Sequence, residues 1–315
     1  MKKLFVLLAV CFLLPLAVHG GEKKQLRVGF SESTFDGAWR VAEVEDMKKA
    51  AAKYGHELIM TNANADIEKQ LADVEDLLAQ NLDILIIVPV DADAVAPAFD
   101  AAKAKGIPVI DLDTEYLSGK WKEDFITVIR SDQYQQGQGC AEWLIGDAAG
   151  KNVKVLEITG NPGQSDAQKR SAGFAETVAP HKNIDLFSVQ NGRWARSTAQ
   201  EIVQNVIQST GGKFDYVYCH ADEMALGVMM GVKQAGLKPG KDIKICAVDG
   251  QFEALDSVKD GEINAIITCT PKGGDLVFSV IEKYFAGEKL EQTYFVHQST
   301  ITPDNVDELY EVEGF

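Results

Sequence analysis

Residues 83–113, DILIIVPVDADAVAPAFDAAKAKGIPVIDLD, contain the pattern that decides the fold. Two short runs rich in Ile and Val, DILIIVPV and IPVIDLD, flank the segment DAVAPAFDAAKAKG, which has a helical period. That segment closes on Gly106, and glycine is favoured where a helix ends. A strand, a helix and a second strand in this order predict a βαβ unit with parallel strands. The near-continuous apolar character of both runs is typical of strands that are covered on both faces.

The same alternation continues from Gln25 onward. Further predicted strands are LRVGFS, ELIMTN, VKVLEITG, LFSVQ, YVYCH, IKICAVDG and AIITCTP. Further predicted helices lie at the apolar stripes Val41 to Tyr54 and Ile67 to Leu78, and at SAGFAETVA, STAQEIVQNVIQST and MALGVMMGVKQAG. The rhythm occurs once before about Ser131 and again after it. The sequence therefore predicts an α/β protein of two similar doubly wound lobes, each with a parallel sheet.

The first twenty residues read as a secretory signal peptide, because Lys2 and Lys3 precede an apolar run that ends in small residues near Gly20. We expect export to the periplasm; an uncleaved anchor is the alternative. Cys11 raises a lipoprotein reading, but Val10 stands where a small residue is expected, so we assign Cys11 to the signal. About 295 residues remain after cleavage, enough for two lobes.

Charge and cysteine content narrow the class further. The net charge is −16, and loss of the two signal lysines makes it −18, so nucleic acid and anionic membrane are poor partners. Cys140, Cys219, Cys246 and Cys269 show no CxxC spacing and no histidine cluster, so we expect neither a metal site nor a cofactor. The oxidising compartment permits one disulfide, which the sequence does not assign.

Ligands of open parallel sheets bind outside the carboxyl ends of the strands, so the residues that follow each strand predict the site. Aromatic rings, guanidinium groups and carboxylates dominate them. The principal candidates are Trp39, Arg40, Asp113, Arg170, Trp194 and Asp249, with Ser31, Phe35, Asp91, Gln164, Asp222 and Lys272 as secondary candidates.

This residue set favours a sugar. Asp and Arg form charge-assisted hydrogen bonds with hydroxyl groups, and Trp offers the largest aromatic face for the C–H groups of the ring. Other roles stay open for each candidate. Trp39 and Trp194 could be core residues, Arg40 and Arg170 surface arginines, and the aspartates turn or N-cap residues, above all Asp91 and Asp222.

Several motifs together carry a family resemblance. They are VGFS followed by GAWR, GIPVIDLD, KRSAGFAE, NGRWARS, HADEMALG followed by GLKPGKDI, and AVDG. With these motifs the chain resembles, from about Leu26 to its end, the sugar-binding proteins of ABC transporters that share the type I fold of the ribose binders, and most of all the galactofuranose binders. The resemblance implies a multi-strand hinge, with lobes at residues 22–131 and 270–296 and at residues 132–269 and 297–315. The crossings near Ser131, Cys269 and Val296 are placed by analogy.

The resemblance also implies roles for single residues. Trp39 and Arg40 match the Trp-Arg pair that contacts the sugar, and Asp113, Arg170 and Asp249 match the binding aspartates and arginine. Trp194 stands where relatives carry a stacking phenylalanine. The chain departs from the family at Thr114, where relatives commonly have arginine, at Ala221, where they have asparagine, and at Lys169, where they have an acidic residue. These departures put the identity of the sugar in doubt more than its class.

The function that follows is capture of a monosaccharide between the lobes and delivery to a membrane permease by a protein that we expect to be monomeric. Two alternatives stay open. The protein could bind a non-sugar polar solute, or it could serve a chemoreceptor or sensor. A transcription regulator would need an N-terminal helix-turn-helix in place of the signal. The sequence argues against an enzyme, because it shows no nucleophile with a base, no metal cluster and no paired carboxylates. His220 and Cys219 are adjacent on a strand and point to opposite faces.

Overall fold

The structure is a computed structural model that describes residues 24–315. The predicted signal peptide, with Cys11, lies outside the described residues. The strands of the first sheet are β1 (Arg27–Glu32), β2 (Glu57–Asn62), β3 (Ile84–Ile87), β4 (Val109–Leu112), β5 (Thr127–Arg130) and β11 (Thr293–Phe295). Those of the second are β6 (Val153–Thr159), β7 (Ile184–Asn191), β8 (Tyr216–Cys219), β9 (Lys244–Asp249), β10 (Ala265–Thr268) and β12 (Thr300–Ile301).

The helices lie between these strands. They are α1 (Ala38–Tyr54), α2 (Ile67–Leu78), α3 (Ala96–Ala104), α4 (Gln133–Ala148), α5 (Ser165–Val178), α6 (Arg196–Thr210), α7 (Asp222–Gln234), α8 (Phe252–Lys259), α9 (Gly274–Phe285) and α10 (Val306–Glu313). No helix within residues 24–315 is both long enough and apolar enough to span a membrane.

The two sheets have equivalent topologies. Their strand orders are β11-β5-β4-β3-β1-β2 and β12-β10-β9-β8-β6-β7, and every pair is parallel except β10 with β12. In each sheet the order reverses beside the first strand, at β1 in one and at β6 in the other. The predicted α/β class with two doubly wound parallel sheets is thus confirmed.

Each sheet is buried on both faces, as the apolar strand runs predict. In the first sheet one face packs on α1 and α9 through Met47 and Phe278, and the other packs on α2 and α3 through Leu77 and Phe99. In the second sheet, α4 and α5 cover one face and α6 and α7 the other. Side chains of this size each stabilise the fold by about 1.5–3 kcal/mol when fully buried.

The chain passes between the sheets three times. It leaves the first sheet after β5, returns after β10 to add α9 and β11, and leaves again to add β12. The boundaries of the two lobes remain a proposal.

Candidate functional site

One cavity of about 370 Å³ opens between the carboxyl ends of the two sheets. Its walls come from the loops after β1, β2, β3 and β4 on one side and after β6, β7, β8, β9 and β10 on the other. The loops after β1 and β6 lie where the strand order reverses, which is where doubly wound sheets bind ligands. Of the predicted residues, Trp39, Arg40, Asp113, Gln164, Arg170, Trp194 and Asp249 line this cavity.

Arg40 is held by three carboxylates on the wall formed by the first sheet. Its Nη2 donates to Asp113 Oδ2 over 2.7 Å and its Nη1 to Glu43 Oε2 over 2.8 Å, while Nε lies 3.7 Å from Glu32 Oε1. Burial raises the pKa of Glu32 and of Glu43, and Arg40 opposes the rise in both. The negative charge of Glu32 raises the pKa of Glu43 further. Because these bonds orient the guanidinium, Arg40 is a fixed donor at the cavity wall.

Asp113 reaches the cavity through an unusual backbone. It follows β4 with φ of 62°, a left-handed conformation that Asp and Asn tolerate better than most residues. Its carboxylate thereby meets Arg40 at the cavity wall. The next residue, Thr114, is 1 % exposed, and its Oγ1 has no hydrogen-bond partner among residues 24–315.

Trp39 spans the gap between the two sheets. Its indole Nε1 donates to the carbonyl oxygen of Cys269, directly after β10, over 2.6 Å. The Arg40 guanidinium carbon lies 4.6 Å from the centre of the Trp39 ring. The ring also packs against the core cluster under α4 in the second sheet. Trp39 therefore connects the first wall of the cavity to the carboxyl end of β10 in the second sheet.

Arg170 is the corresponding buried cation on the opposite wall. It is 4 % exposed, and it donates from Nε to Gln136 Oε1 over 2.9 Å and from Nη1 to the His220 carbonyl over 2.6 Å. Both partners are neutral, so its charge is balanced only by carboxylates farther away, Asp166 and Asp249. A buried cation with neutral partners is available to ligand oxygens.

Trp194 stands beside Arg170 as a flat surface. Its φ is 58°, and its Nε1 donates to Gln164 Oε1 over 2.5 Å. A Cβ added at Gly160 would lie 1.8 Å from the Trp194 ring, so only glycine permits this approach. The Arg170 guanidinium carbon lies 5.7 Å from the ring centre.

A buried network supports this wall from beneath. His220 Nδ1 accepts from Gly160 N over 3.4 Å, so Nε2 carries the proton and donates to Glu157 Oε1 over 2.9 Å. Ser171 Oγ donates to the same Glu157 oxygen over 2.5 Å. Burial lowers the pKa of His220 against the opposing effect of Glu157. Because Ser171 bonds to the carboxylate and not to the imidazole, this trio lacks the arrangement of nucleophile and base.

Asp249 is the last residue of β9 and is only 6 % exposed. Burial raises its pKa to about 7, although Arg170 acts in the opposite direction. Its Oδ2 accepts from the backbone N–H of Asp222 over 3.3 Å. At neutral pH this carboxyl group is therefore close to the midpoint of its titration.

The remaining secondary candidates lie outside the cavity lining. Ser31 is buried beside Gln70, and Phe35 packs against the core of the first sheet. Asp91 accepts from the N–H groups of Asp93 and Ala94 in a turn. Asp222 and Lys272 also have partners within the protein. Asp222 accepts from Gly250 N and Gln251 N, and Lys272 Nζ donates to the Gly314 carbonyl over 2.6 Å.

Several lining residues were not among the sequence candidates. They are Ser33, Thr34, Asp36, Gly37, Ala38, Ala65, Val90, Asp166, Ala221, Glu223, Gln251 and Cys269. Most lie within three residues of a predicted one, so a wider window after each strand would have found them. Cys269 contributes its carbonyl group to Trp39, a role that side-chain chemistry does not reveal. The cysteines at 140, 219, 246 and 269 are buried free thiols, and residues 24–315 contain no cluster suited to a metal ion.

Comparison with known proteins places the fold and the site in context. The family model described as "Periplasmic binding protein domain" matches residues 28–289. A galactofuranose-binding protein of Escherichia coli is 33 % identical over 286 residues, which cover 90 % of each chain. A ribose import binding protein of Bacillus subtilis is 32 % identical and covers 87 % of each.

Solved structures agree with these relatives. A galactofuranose binding protein superposes with a TM-score of 0.86 at 33 % identity, covering 91 % of this chain and 98 % of the other. The arabinose-binding component of an ABC transporter from Shewanella sp. ANA-3, solved with α- and β-L-arabinofuranose, has a TM-score of 0.86 at 31 % identity, with 91 % and 95 % coverage.

Proposed function

The chain belongs to the periplasmic binding protein family, and from that premise we propose that it captures a monosaccharide between its two sheets and delivers it to the permease of an ABC transporter. The relatives named above bind furanose sugars or ribose, and a galactofuranose-like sugar is the ligand we propose for this chain. The periplasm is the location that the family implies, reached through the signal peptide that we propose at residues 1–20.

One observation carries the proposal: each wall of the cavity contributes a tryptophan, an arginine and a strand-end aspartate. Trp39, Arg40 and Asp113 line the first wall, and their counterparts line the second. A sugar ring between them would meet an aromatic face and charge-assisted donors and acceptors from both sides. A ligand that bonds to both walls stabilises the closed arrangement, so delivery depends on occupancy.

We propose a binding protein without catalytic activity, acting as a monomer. The relatives are named as binding proteins. In the second wall, the Ser171 hydroxyl group and the His220 imidazole both bond to one Glu157 oxygen, so the imidazole is not the hydrogen-bond acceptor of this hydroxyl group. We further propose that the lobes comprise residues 22–131 with 270–296 and residues 132–269 with 297–315.

A thermal-shift screen tests the ligand class. The exported chain is heated with D-galactose, D-ribose and L-arabinose, with adenosine and an amino acid as controls. A sugar at 100 times its dissociation constant adds about 2.7 kcal/mol of stability, which raises the melting midpoint by a few degrees. A shift with adenosine alone would contradict the sugar assignment.

Asp113→Asn then tests the site. Asparagine tolerates the left-handed backbone that alanine would strain, so this variant removes the charge and leaves the fold. We expect it to weaken sugar binding at least tenfold, because a charged hydrogen bond contributes about 1.5–3 kcal/mol. Asp100→Asn, an exposed change on α3, is the matched control. Equal affinity in both variants would refute the assignment of Asp113.

A further inference from the structure

We propose that Asp166 contacts the sugar directly and determines which hydroxyl pattern the cavity accepts. This inference rests on the proposed sugar-binding function and adds a residue that neither the strand-end positions nor the family motifs indicate. Asp166 lies in the first turn of α5, four residues before Arg170, so both side chains project from the same helix face. Both line the cavity.

The Asp166 carboxylate has unused acceptor capacity. Its Oδ1 accepts one hydrogen bond, from the N–H of Ala167 over 2.9 Å, and no other donor reaches the carboxylate among residues 24–315. A carboxylate offers about four acceptor positions. Most of that capacity is therefore free on the cavity side of the helix.

Asp166 lines the same cavity as Asp113 and Arg40 of the opposite wall. Burial raises its pKa, Arg170 on its own helix lowers it, and Asp113 on the opposite wall raises it, with Arg40 as a further lowering influence. Two of these charged groups belong to the other sheet. A carboxylate that lines the cavity between the two walls is in position to bond to a ligand held there.

A role in helix stability alone accounts poorly for this placement. An acidic side chain in the first turn of a helix stabilises it from an exposed position, by about 0.3–1 kcal/mol. Glu68 in the first turn of α2 is such an exposed residue. Asp166 is instead partly buried near a second carboxylate, an arrangement that costs free energy without a ligand.

The charges that line the cavity also indicate the charge of the ligand. The cavity is lined by five carboxylate residues and two arginines. Arg40 is already paired with Asp113 and Glu43, so Arg170 is the one lining arginine without a carboxylate partner, and it is outnumbered by the other lining carboxylates. We therefore expect neutral sugars, which donate several hydroxyl protons, to bind, and uronic acids and sugar phosphates to be rejected.

The test is calorimetric titration of the wild type, Asp166→Asn and the control Glu68→Gln with D-galactose, D-ribose and L-arabinose. For the sugar that binds the wild type most tightly, we expect Asp166→Asn to weaken binding at least tenfold, and Glu68→Gln to change it less than twofold. Asp166→Ser serves as a second variant if the first does not fold, as judged by circular dichroism.

Monodeoxy derivatives of that sugar separate direct contact from a structural role. The derivative that lacks the contacted hydroxyl group should bind the wild type and Asp166→Asn equally, while the others keep the tenfold difference. Equal weakening of every derivative, or an affinity of Asp166→Asn within twofold of the wild type, would overturn the inference and leave the proposed function intact. If the wild type binds none of the three sugars, the proposed function fails and this inference fails with it.

Discussion

Lowering the pH from 8 to 6 should weaken sugar binding, because protonation of Asp249 competes with the hydroxyl groups of the ligand. Burial raises the pKa of this carboxyl group to about 7, with Arg170 opposing that rise. Asp113 and Asp166 add to the negative field around it, and Asp222 is close enough for its N–H to bond to the carboxylate. The ionised form is the stronger acceptor for a sugar hydroxyl group, so binding releases a proton.

The expected magnitude follows from linkage. The apparent dissociation constant is multiplied by one plus the ratio of protonated to ionised carboxyl groups. With a pKa of about 7 this factor is about 11 at pH 6 and about 1.1 at pH 8, so affinity should change about tenfold, or about 1.4 kcal/mol.

The stability of the ligand-free protein should change in the opposite direction. The pKa of Asp249 is raised on folding from an unfolded value of about 3.9, so its contribution to stability is full below that value and is lost as the pH rises through 7. A difference of about three pH units corresponds to roughly 4 kcal/mol. Higher pH thus destabilises the empty protein and strengthens sugar binding.

Calorimetric titration at pH 6, 7 and 8, repeated in two buffers with different heats of ionisation, measures both the affinity and the protons released. Asp249→Asn should bind more weakly at every pH but with a flat profile, and the difference in unfolding free energy between the two proteins should change between about pH 4 and pH 7. A wild-type affinity that is constant from pH 6 to 8 would refute the reasoning.

Two further substitutions change residues around the cavity: Gly160, which lies against the Trp194 ring, and Lys169, which pairs with Glu115. Gly160→Ala places a methyl group 1.8 Å from the Trp194 ring and should weaken sugar binding at least tenfold by calorimetry, whereas Gly163→Ala, which meets no atom within 4 Å, should leave it unchanged. Lys169 on α5 contacts Glu115 beyond β4, so this ion pair joins the two walls outside the cavity. Lys169→Gln should speed sugar release a few-fold in stopped-flow fluorescence, and this effect should shrink at high salt. A release rate that changes neither with the substitution nor with the salt concentration would contradict a role of this ion pair in closure.

The strand cores could be predicted from sequence because parallel strands that are buried on both faces consist of nearly continuous apolar residues. The predicted IPVIDLD and YVYCH correspond to β4 and β8 within one or two residues at most ends. The strands β5, β11 and β12 were not predicted. They have two to four residues each and depend on pairing with distant segments, which local pattern does not encode.

The helix α4 was missed for a different reason. Its sequence QYQQGQGCAEWLIGDA contains three glycines, and glycine weakens a helix signal. The structure explains the glycines: a Cβ at Gly137 would lie 2.0 Å from the Arg170 carbonyl, and one at Gly173 would lie 2.1 Å from the Tyr134 carbonyl. Close packing of α4 on α5 requires them, and only tertiary structure reveals that requirement.

The candidate site followed from the strand-end rule for its principal residues, since all six of them line the cavity. The strand-end rule does not predict the direction in which each side chain points. Asp222 follows β8 closely, much as Asp249 ends β9, yet the Asp222 carboxylate accepts hydrogen bonds from Gly250 N and Gln251 N. Asp166 reads in the sequence as an ordinary helix-start residue, because nothing local shows that α5 begins at the cavity wall.

The path of the chain between the sheets has a consequence for biosynthesis. The first sheet lacks its edge strand β11 and its covering helix α9 until residues 274–295 have left the ribosome, after the whole second sheet except β12. Until then the apolar residues of α1 that pack on α9 stay uncovered, and β5 has no neighbour on one side. The nascent amino-terminal half is therefore incomplete through most of translation, which favours passage through a translocation channel as an unfolded polypeptide.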